Sequence, residues 1–177
     1  MNQLLEKLRG GDMRSTGRAD QVAAEVLDDP LLFDDLFSGM LCDEPLIRMR
    51  AADAVEKVTR ERTDLLQPYR ETIIQEVARV DQQEVRWHAA QLFPRLELSA
   101  EERLVVVGIL KEYLEDKSRI VKTFSMQGLA DLAEGDETLL PQVVQLLEEL
   151  TAAGSPAMKS RGRKLLKELA KGQGRRA

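Results

Sequence analysis

The stretch that decides the fold of this 177-residue chain reads Val85-Arg86-Trp87-His88-Ala89-Ala90-Gln91-Leu92-Phe93. The same pattern occurs earlier as Ile47-Arg48-Met49-Arg50-Ala51-Ala52-Asp53-Ala54-Val55 and later as Val121-Lys122-Thr123-Phe124-Ser125-Met126-Gln127-Gly128-Leu129. A looser fourth copy reads Met158-Lys159-Ser160-Arg161-Gly162-Arg163-Lys164-Leu165-Leu166. The first residues of successive copies lie 38, 36 and 37 positions apart. Repetition at such a period predicts an array of stacked helical units.

Apolar residues recur within each copy at the spacing of one helix face, which predicts the buried side of each repeated helix. In the first three copies these core columns hold Ile47, Ala51, Ala54, Val55 and Val58; Val85, Ala89, Leu92, Phe93 and Leu96; and Val121, Ser125, Gly128, Leu129 and Leu132. Small residues in two of the columns should let neighbouring helices approach closely, while the large ones fill the space between them.

Each copy follows a segment rich in large aliphatic residues and a short turn, which predicts pairs of antiparallel helices. First helices are predicted over residues 31–41, 65–80, 101–114 and 137–150, and second helices start near Pro45, Glu84, Ser118 and Pro156. Proline stands near the opening of three first helices, where it costs least. Ser99 and Glu102 have the spacing of a capping box. Two further helices are predicted over residues 2–8 and 19–27.

Composition favours helix-on-helix packing, because 43% of residues are apolar but only 4% are aromatic. No apolar run is long enough to cross a bilayer, and the first eleven residues lack the core of a signal peptide. Cys42 is the single cysteine, so a reducing, cytoplasmic setting is expected. We predict an N-terminal helix and linker over residues 1–16, one domain over 17–171, and a frayed basic tail over 172–177.

Charge is distributed unevenly within the net −5. Residues 25–44 contain seven acidic and no basic side chains, whereas residues 158–177 contain eight basic and one acidic. Opposite charges at the two ends permit self-association of copies of the chain. The basic amphipathic stretch from Lys159 to Arg176 is the one place where nucleic acid, an acidic protein or a membrane surface would be attracted; a solvated terminal helix is the alternative.

These columns resemble HEAT repeats of the armadillo-like α-solenoid family, whose second helix opens Val-Arg-x-x-Ala-Ala-x-x-Leu after a turn containing Asp. The resemblance covers about residues 30–170. It implies an all-α protein, a right-handed α-α superhelix (α-solenoid) of about four HEAT-like helix pairs plus an N-terminal helical cap. It also implies a hydrogen-bonded ladder between repeats, made by Asp43, Asp81, Asp116, Arg48, Arg86 and Lys122. The fourth copy departs from the family pattern at Gly154-Ser155 and Gly162-Arg163, so its helix is expected to be loosely packed or an end cap.

The resemblance further implies that second helices line a concave binding surface. The columns expected to face solvent hold Met49, Arg50, Trp87, His88, Gln91, Arg95, Phe124 and Gln127. Trp and Arg are enriched at binding hot spots, so these residues are the predicted partner-binding site. Packing of Trp87 and Phe124 against neighbouring repeats is the alternative interpretation.

We therefore predict a non-catalytic protein–protein interaction or scaffold module with a protein or peptide partner. No metal site or cofactor is expected, because His88 is the single histidine. No nucleophile–base pair is apparent, since Cys42 and His88 belong to different helices. Two alternatives stay open. One is a nucleic-acid-binding protein similar to HEAT-like DNA-alkylation-repair enzymes, which need a basic groove. The other is a HEAT-like lyase or chaperone for a tetrapyrrole, held between Trp87 and Phe124.

Overall fold

The computed structural model describes residues 2–174, and every regular element within them is helical. The all-α prediction is therefore confirmed for this part of the chain. Residues 175–177 of the predicted basic tail lie outside the described residues. No helix among the described residues is long and apolar enough to cross a membrane.

Residue contacts divide the chain into two compact units, which meet in sequence between Glu97 and Leu98. Unit 1 contains α1 Gln3–Glu6, α2 Ala19–Asp28, α3 Phe33–Ser38, α4 Pro45–Glu61, α5 Arg70–Gln75 and α6 Gln83–Leu92. Unit 2 contains α7 Ala100–Tyr113, α8 Arg119–Ala133, α9 Leu139–Ala153 and α10 Pro156–Gly174. The single domain predicted over residues 17–171 spans both units.

Unit 1 has its core between the second helices α4 and α6 and the helices that precede them. All the predicted core columns of these two helices are buried, which confirms the helical spacing of the pattern. Gly39 allows its segment to pack closely against α4 and α1, because a Cβ on it would lie 2.8 Å from the Cβ of Ala51 and 2.7 Å from Cδ2 of Leu5. Small residues at these positions are therefore required by packing.

The first helices of unit 1 are broken, and the prediction of continuous helices over residues 31–41 and 65–80 is wrong. The first is divided into a 3-10 turn Pro30–Leu32, α3, and a 3-10 turn Gly39–Leu41. The second begins as a 3-10 segment, Thr63–Tyr69, with Pro68 inside it. Proline has no N–H for an α-helical bond and clashes with the preceding turn. Contacts among the rings of Phe33, Phe37 and Tyr69 join the two broken segments.

Unit 2 has longer, regular helices. Ser99 and Glu102 form the predicted capping box: the Ser99 hydroxyl accepts from the Glu102 N–H, and the Glu102 carboxylate accepts from the Ser99 N–H. The core columns of α8 are buried as predicted. A Cβ on Gly162 of α10 would come within 1.8 Å of the Thr151 hydroxyl of α9. The departure of the fourth copy from the Ala pattern therefore allows close packing, and the expectation of loose packing there is wrong.

Candidate partner-binding surfaces

Arg50, predicted to face a partner, is 1% exposed. Its guanidinium donates to the carbonyls of Leu8 (2.6 Å), Gly10 (2.7 Å), Asp12 (3.2 Å) and Ser15 (3.1 Å). The turn-rich segment between α1 and α2 thus wraps around the arginine, and its carbonyl dipoles compensate the buried charge. The prediction of an exposed Arg50 is wrong, because a segment some forty residues earlier covers this column of α4.

Arg95, the predicted basic anchor of the binding surface, is used inside unit 1. It forms an ion pair with the Glu56 carboxylate and donates to the Glu56 carbonyl (2.7 Å) and the Thr59 hydroxyl (2.9 Å). The Glu56 side chain is 2% exposed and also pairs with Arg60 at 2.7 Å. Desolvation alone would raise the pKa of Glu56, but the bonds from Arg60 and Arg95 outweigh it and hold the pKa below its ordinary value. Arg95 is therefore an internal partner of a buried carboxylate.

Met49 and His88 are also buried, at 6% and 7% exposure, so the prediction that they face solvent is wrong. The imidazole of His88 lies 4.0 Å from the Asp53 carboxylate. Burial lowers the pKa of His88 to about 4, against the opposing effect of Asp53. His88 is thus a neutral core side chain at physiological pH.

Trp87 and Gln91 remain partly accessible on α6. The indole ring lies 5.7 Å from the His88 ring, and the Gln91 amide donates to the Trp87 carbonyl at 3.1 Å. Trp87 is half-buried, which agrees with neither a fully exposed hot spot nor a fully buried core residue. It is the one large apolar side chain of the predicted surface that unit 1 leaves partly open.

The predicted ladder takes a different form in unit 1. Arg48 donates to the Cys42 carbonyl (2.7 Å) in its own turn and to the Gln82 side chain (2.9 Å) in the next turn along the chain. Gln82, rather than an aspartate, therefore makes the connection between these two repeats. Arg86 pairs with Asp81 of its own turn at 2.8 Å. Asp43 is exposed and has no hydrogen bond or ion pair within the described chain.

The ladder residues of unit 2 have separate local roles. The Asp116 carboxylate accepts from the Ser118 N–H at 2.7 Å, just before α8 begins. Lys122 is half-buried, and its side chain has no hydrogen bond or ion pair within residues 2–174. The pairing predicted for Lys122 is therefore absent from the described part of the structure.

Phe124 and Gln127, the predicted site residues of unit 2, are brought together by Arg161 of α10. The guanidinium stands 5.7 Å from the centroid of the Phe124 ring and donates to the Gln127 side chain at 2.6 Å. The Gln127 amide in turn donates to the Asp131 carboxylate at 2.7 Å. Both predicted residues are half-buried. Two of the residues in these contacts, Gln127 and Asp131, also line a groove.

The groove has a volume of about 590 Å³ and lies wholly within unit 2. It is lined by the end of α8, the turn after it, the start of α9 and the last turns of α10. Its apolar lining consists of Ala130, Leu140, Pro141, Leu165 and Leu169, and its acidic lining of Asp131, Glu134, Asp136, Glu137 and Glu168. No lysine, arginine or histidine is among the described lining residues. We refer to these residues, with Gln127, as the acidic groove.

Carboxylates outnumber cations at the acidic groove, where Lys164 is the one cation paired with a described lining carboxylate, Glu168, at 3.9 Å. Desolvation raises the pKa of Asp131, and the nearby carboxylates of Glu134 and Glu168 raise it further. Arg161 acts in the opposite direction but contributes less. Among the residues described, no three His, Cys, Asp or Glu side chains are placed to hold a metal ion.

Gln127 was among the predicted partner-binding residues, but the acidic groove that it lines was not predicted. The local signal was the run Glu134-Gly135-Asp136-Glu137, which reads as a solvated turn. Asp131 and Glu168 occupy the same solvent-facing column as Arg95, but Glu168 is the single acidic residue between Met158 and Ala177, so it does not by itself indicate an acidic site. Only folding brings α10 against α8 and so places Glu168 beside Glu134.

Comparison with known proteins does not extend these observations. No protein-family model, no curated protein and no solved structure matches the chain. Function must therefore be inferred from the residues themselves.

Proposed function

We propose that the chain is a non-catalytic, HEAT-like α-solenoid module that binds a protein or peptide partner on the surface of its second helices. The observation that carries this proposal is the acidic groove between α8 and α10, the second helices of the last two pairs. Gln127 and Asp131 from α8 and Glu168 from α10 line it, and all three occupy columns that the repeat pattern assigns to the partner-facing side. A concave site with an apolar floor and polar edges is typical of recognition surfaces.

The proposal moves the centre of binding from unit 1 to unit 2. Arg50 and Arg95 already satisfy their polar groups inside unit 1, and losing those bonds to reach a partner would cost free energy. His88 is buried there. Trp87 is half-buried and provides an alternative centre. The two surfaces make different predictions for mutagenesis.

The two other functions considered are disfavoured at the acidic groove by charge. Nucleic acids bind mainly through their phosphates, and the propionates of a tetrapyrrole are also anionic. Either would meet the five carboxylates that line the groove, and like charges brought together in this way are strongly unfavourable.

Self-association of the acidic segment 28–44 with the basic helix of another copy stays a prediction, and light scattering at low salt would test it.

The test is an affinity pull-down from an extract of the cells that express the protein, with four baits: the wild type, a groove variant, a charge control and Trp87→Ala. The groove variant is Glu134→Lys/Glu168→Lys. Glu134 is the exposed C-cap of α8, where the helix dipole favours positive charge, and the Glu168 side chain is 53% exposed, so folding should be preserved. The control is Glu148→Lys/Glu149→Lys, two exposed residues of α9 outside the groove lining, which changes the net charge equally.

A partner retained by the wild type and the control but lost by the groove variant would support the proposal. A partner retained by the groove variant but lost by Trp87→Ala would move the site to α6 and overturn it. Thermal unfolding of each bait must first show that the variants are as stable as the wild type.

A further inference from the structure

We infer that the occupant of the acidic groove is a basic amphipathic helix of a partner protein. This helix would have one face of leucine-like side chains and lysine or arginine on both flanks. The inference rests on the proposed function and adds the chemical class of the partner. Three features of the groove support the inference: the charge of its lining side chains, its apolar lining residues, and the hydrogen bonding of the backbone around it.

The charge of the groove calls for a cationic partner. The five lining carboxylates come from α8, from the turn after it, and from α10, so negative charge flanks the floor on more than one side. Glu134 is the C-cap of α8, where the helix dipole adds partial negative charge. The opposing dipole of α9 is offset by Asp136, whose carboxylate accepts from the N–H groups of Thr138 (3.1 Å) and Leu139 (2.9 Å).

The carboxylates of the groove are available to such a partner. Glu134 and Glu137 are exposed, and the Glu168 side chain is 53% exposed with Lys164 only as near as 3.9 Å. A pair of that length at the surface contributes little. The pKa of Asp131 is raised mainly by desolvation and to a lesser extent by repulsion from the Glu134 and Glu168 carboxylates. A cationic side chain in the groove would relieve that repulsion.

The floor of the groove calls for apolar side chains. Leu140 and Pro141 at the start of α9 supply its accessible apolar surface, whereas Leu165 and Leu169 of α10 form a base that is already packed inside unit 2. Burying this apolar lining against a partner is favourable in proportion to the area removed from water. Simple polyamines have charge but no apolar face, so they would pair with the carboxylates of the groove and leave its apolar lining uncovered.

The backbone around the groove favours a helical partner. Most of the lining residues lie in helices, whose interior N–H and C=O groups are hydrogen-bonded within the helix, and no strand edge is present among the described residues. An extended peptide would find few main-chain partners there, whereas a helix satisfies its own backbone. Recognition of an amphipathic helix in an apolar groove depends on side chains alone.

The experiment measures fluorescence anisotropy of labelled peptides, about 18 residues long, or roughly 27 Å as a helix, with the full chain. The first peptide has a leucine face flanked by lysines. The second replaces each lysine with glutamate. The third has the composition of the first but a scrambled order without an apolar face. Each is titrated with wild type, Glu134→Lys/Glu168→Lys and Glu148→Lys/Glu149→Lys.

We expect the basic amphipathic peptide to bind the wild type and the control with Kd values within about twofold, and the groove variant at least about tenfold more weakly. Raising the salt from about 0.1 M to 1 M should weaken binding, because the Debye length falls from about 10 Å to 3 Å. The scrambled peptide should bind at least about tenfold more weakly than the amphipathic one.

Three results would overturn the inference. Equal binding of the scrambled peptide, or full competition by spermine, would show attraction of any polycation. Equal binding to the groove variant would place the site elsewhere. Preference for the acidic peptide, with dependence on Glu134 and Glu168, would reverse the assigned charge while leaving the proposed function intact. The proposed function itself fails only if the pull-down yields no partner that depends on the groove.

Discussion

The guanidinium of Arg50 lies where a side chain on residue 17 would have to stand. A Cβ built on Gly17 would be 2.6 Å from Cζ of Arg50, and Gly17 has a φ of +55°. Both the backbone conformation and the available space therefore require glycine at this position. The relationship explains how a segment of turn residues can close over a buried charge.

Gly17→Ala should destabilise unit 1 more than Gly10→Ala does. Gly10 also has a positive φ, +82°, but a Cβ there would meet nothing within 4 Å. The Gly10 variant should therefore show only the backbone strain, about 1 kcal/mol, and the Gly17 variant about 1–3 kcal/mol more from overpacking. Urea unfolding monitored by circular dichroism measures both. Equal losses would show that Arg50 moves aside without cost.

Arg50→Lys should destabilise the chain by on the order of 3 kcal/mol. An ammonium group cannot reproduce the planar fork that reaches the carbonyls of Leu8, Gly10, Asp12 and Ser15. The variant should also become sensitive to proteolysis between residues 9 and 17, because this segment loses its anchor. Limited proteolysis with mass spectrometry tests this expectation, and an unchanged cleavage pattern would contradict the anchoring role.

Arg95→Met should destabilise by about 2–3 kcal/mol, because it leaves the buried Glu56 carboxylate with one cation in place of two. Adding Glu56→Gln to this variant should recover part of the loss, giving a clear coupling in a double-mutant cycle. Arg62→Met serves as the comparison, since Arg62 pairs with Asp64 at the surface and its replacement should have a much smaller effect. Losses of similar size in the two single variants would contradict the internal role of Arg95.

Stability should fall between pH 7 and pH 5 through His88. Its pKa is about 4 in the folded chain against an ordinary value of 6.5, so over this range the unfolded chain binds the additional proton. Stability is therefore fully present above the unfolded pKa and decreases as the pH falls, by about 2 kcal/mol at pH 5. Glu56, with a lowered pKa, loses its contribution only below about its ordinary value of 4.5.

His88→Gln provides the test of that assignment, because His88 is the single histidine of the chain. The groups facing the imidazole are Asp53, Glu56, Lys57 and Arg60, and both proteins retain them, so their effects cancel in the comparison. The variant should show a nearly flat free energy of unfolding between pH 7 and pH 5 in urea titrations. A slope equal to that of the wild type would show that His88 is accessible to protons in the folded state.

Local interactions explain why so much of the helical framework could be predicted. The columns that begin at Ile47, Val85 and Val121 are buried throughout, because apolar residues at helical spacing produce one apolar face wherever the helix lies. The capping box of Ser99 and Glu102 could be predicted for the same reason, since it involves residues three apart. The broken helix around Pro68 shows the limit of such prediction, because the segment Thr63–Tyr69, which contains Pro68, forms a 3-10 helix there instead of an α-helix.

The candidate site was predictable only in part, because a column shows which way a side chain points but not what covers it. Arg50 occupies a column that the repeat pattern leaves exposed, yet the segment from Leu8 to Ser15 lies over it. Arg95 likewise finds Glu56, which is 39 residues away in the chain. Gln127, which was predicted to bind a partner, lines the acidic groove together with residues that are distant from it in the sequence.

The sequence by itself determined the helical units, their buried faces and the polar character of the intervening turns, because these depend on the spacing of residues within one helix. The tertiary structure alone decided which polar residues became internal and which remained available. Glu134 and Glu168 are 34 positions apart, and one of them lies in a basic helix. They line one groove only because α10 packs against α8, and packing between distant helices depends on the shape of the whole core.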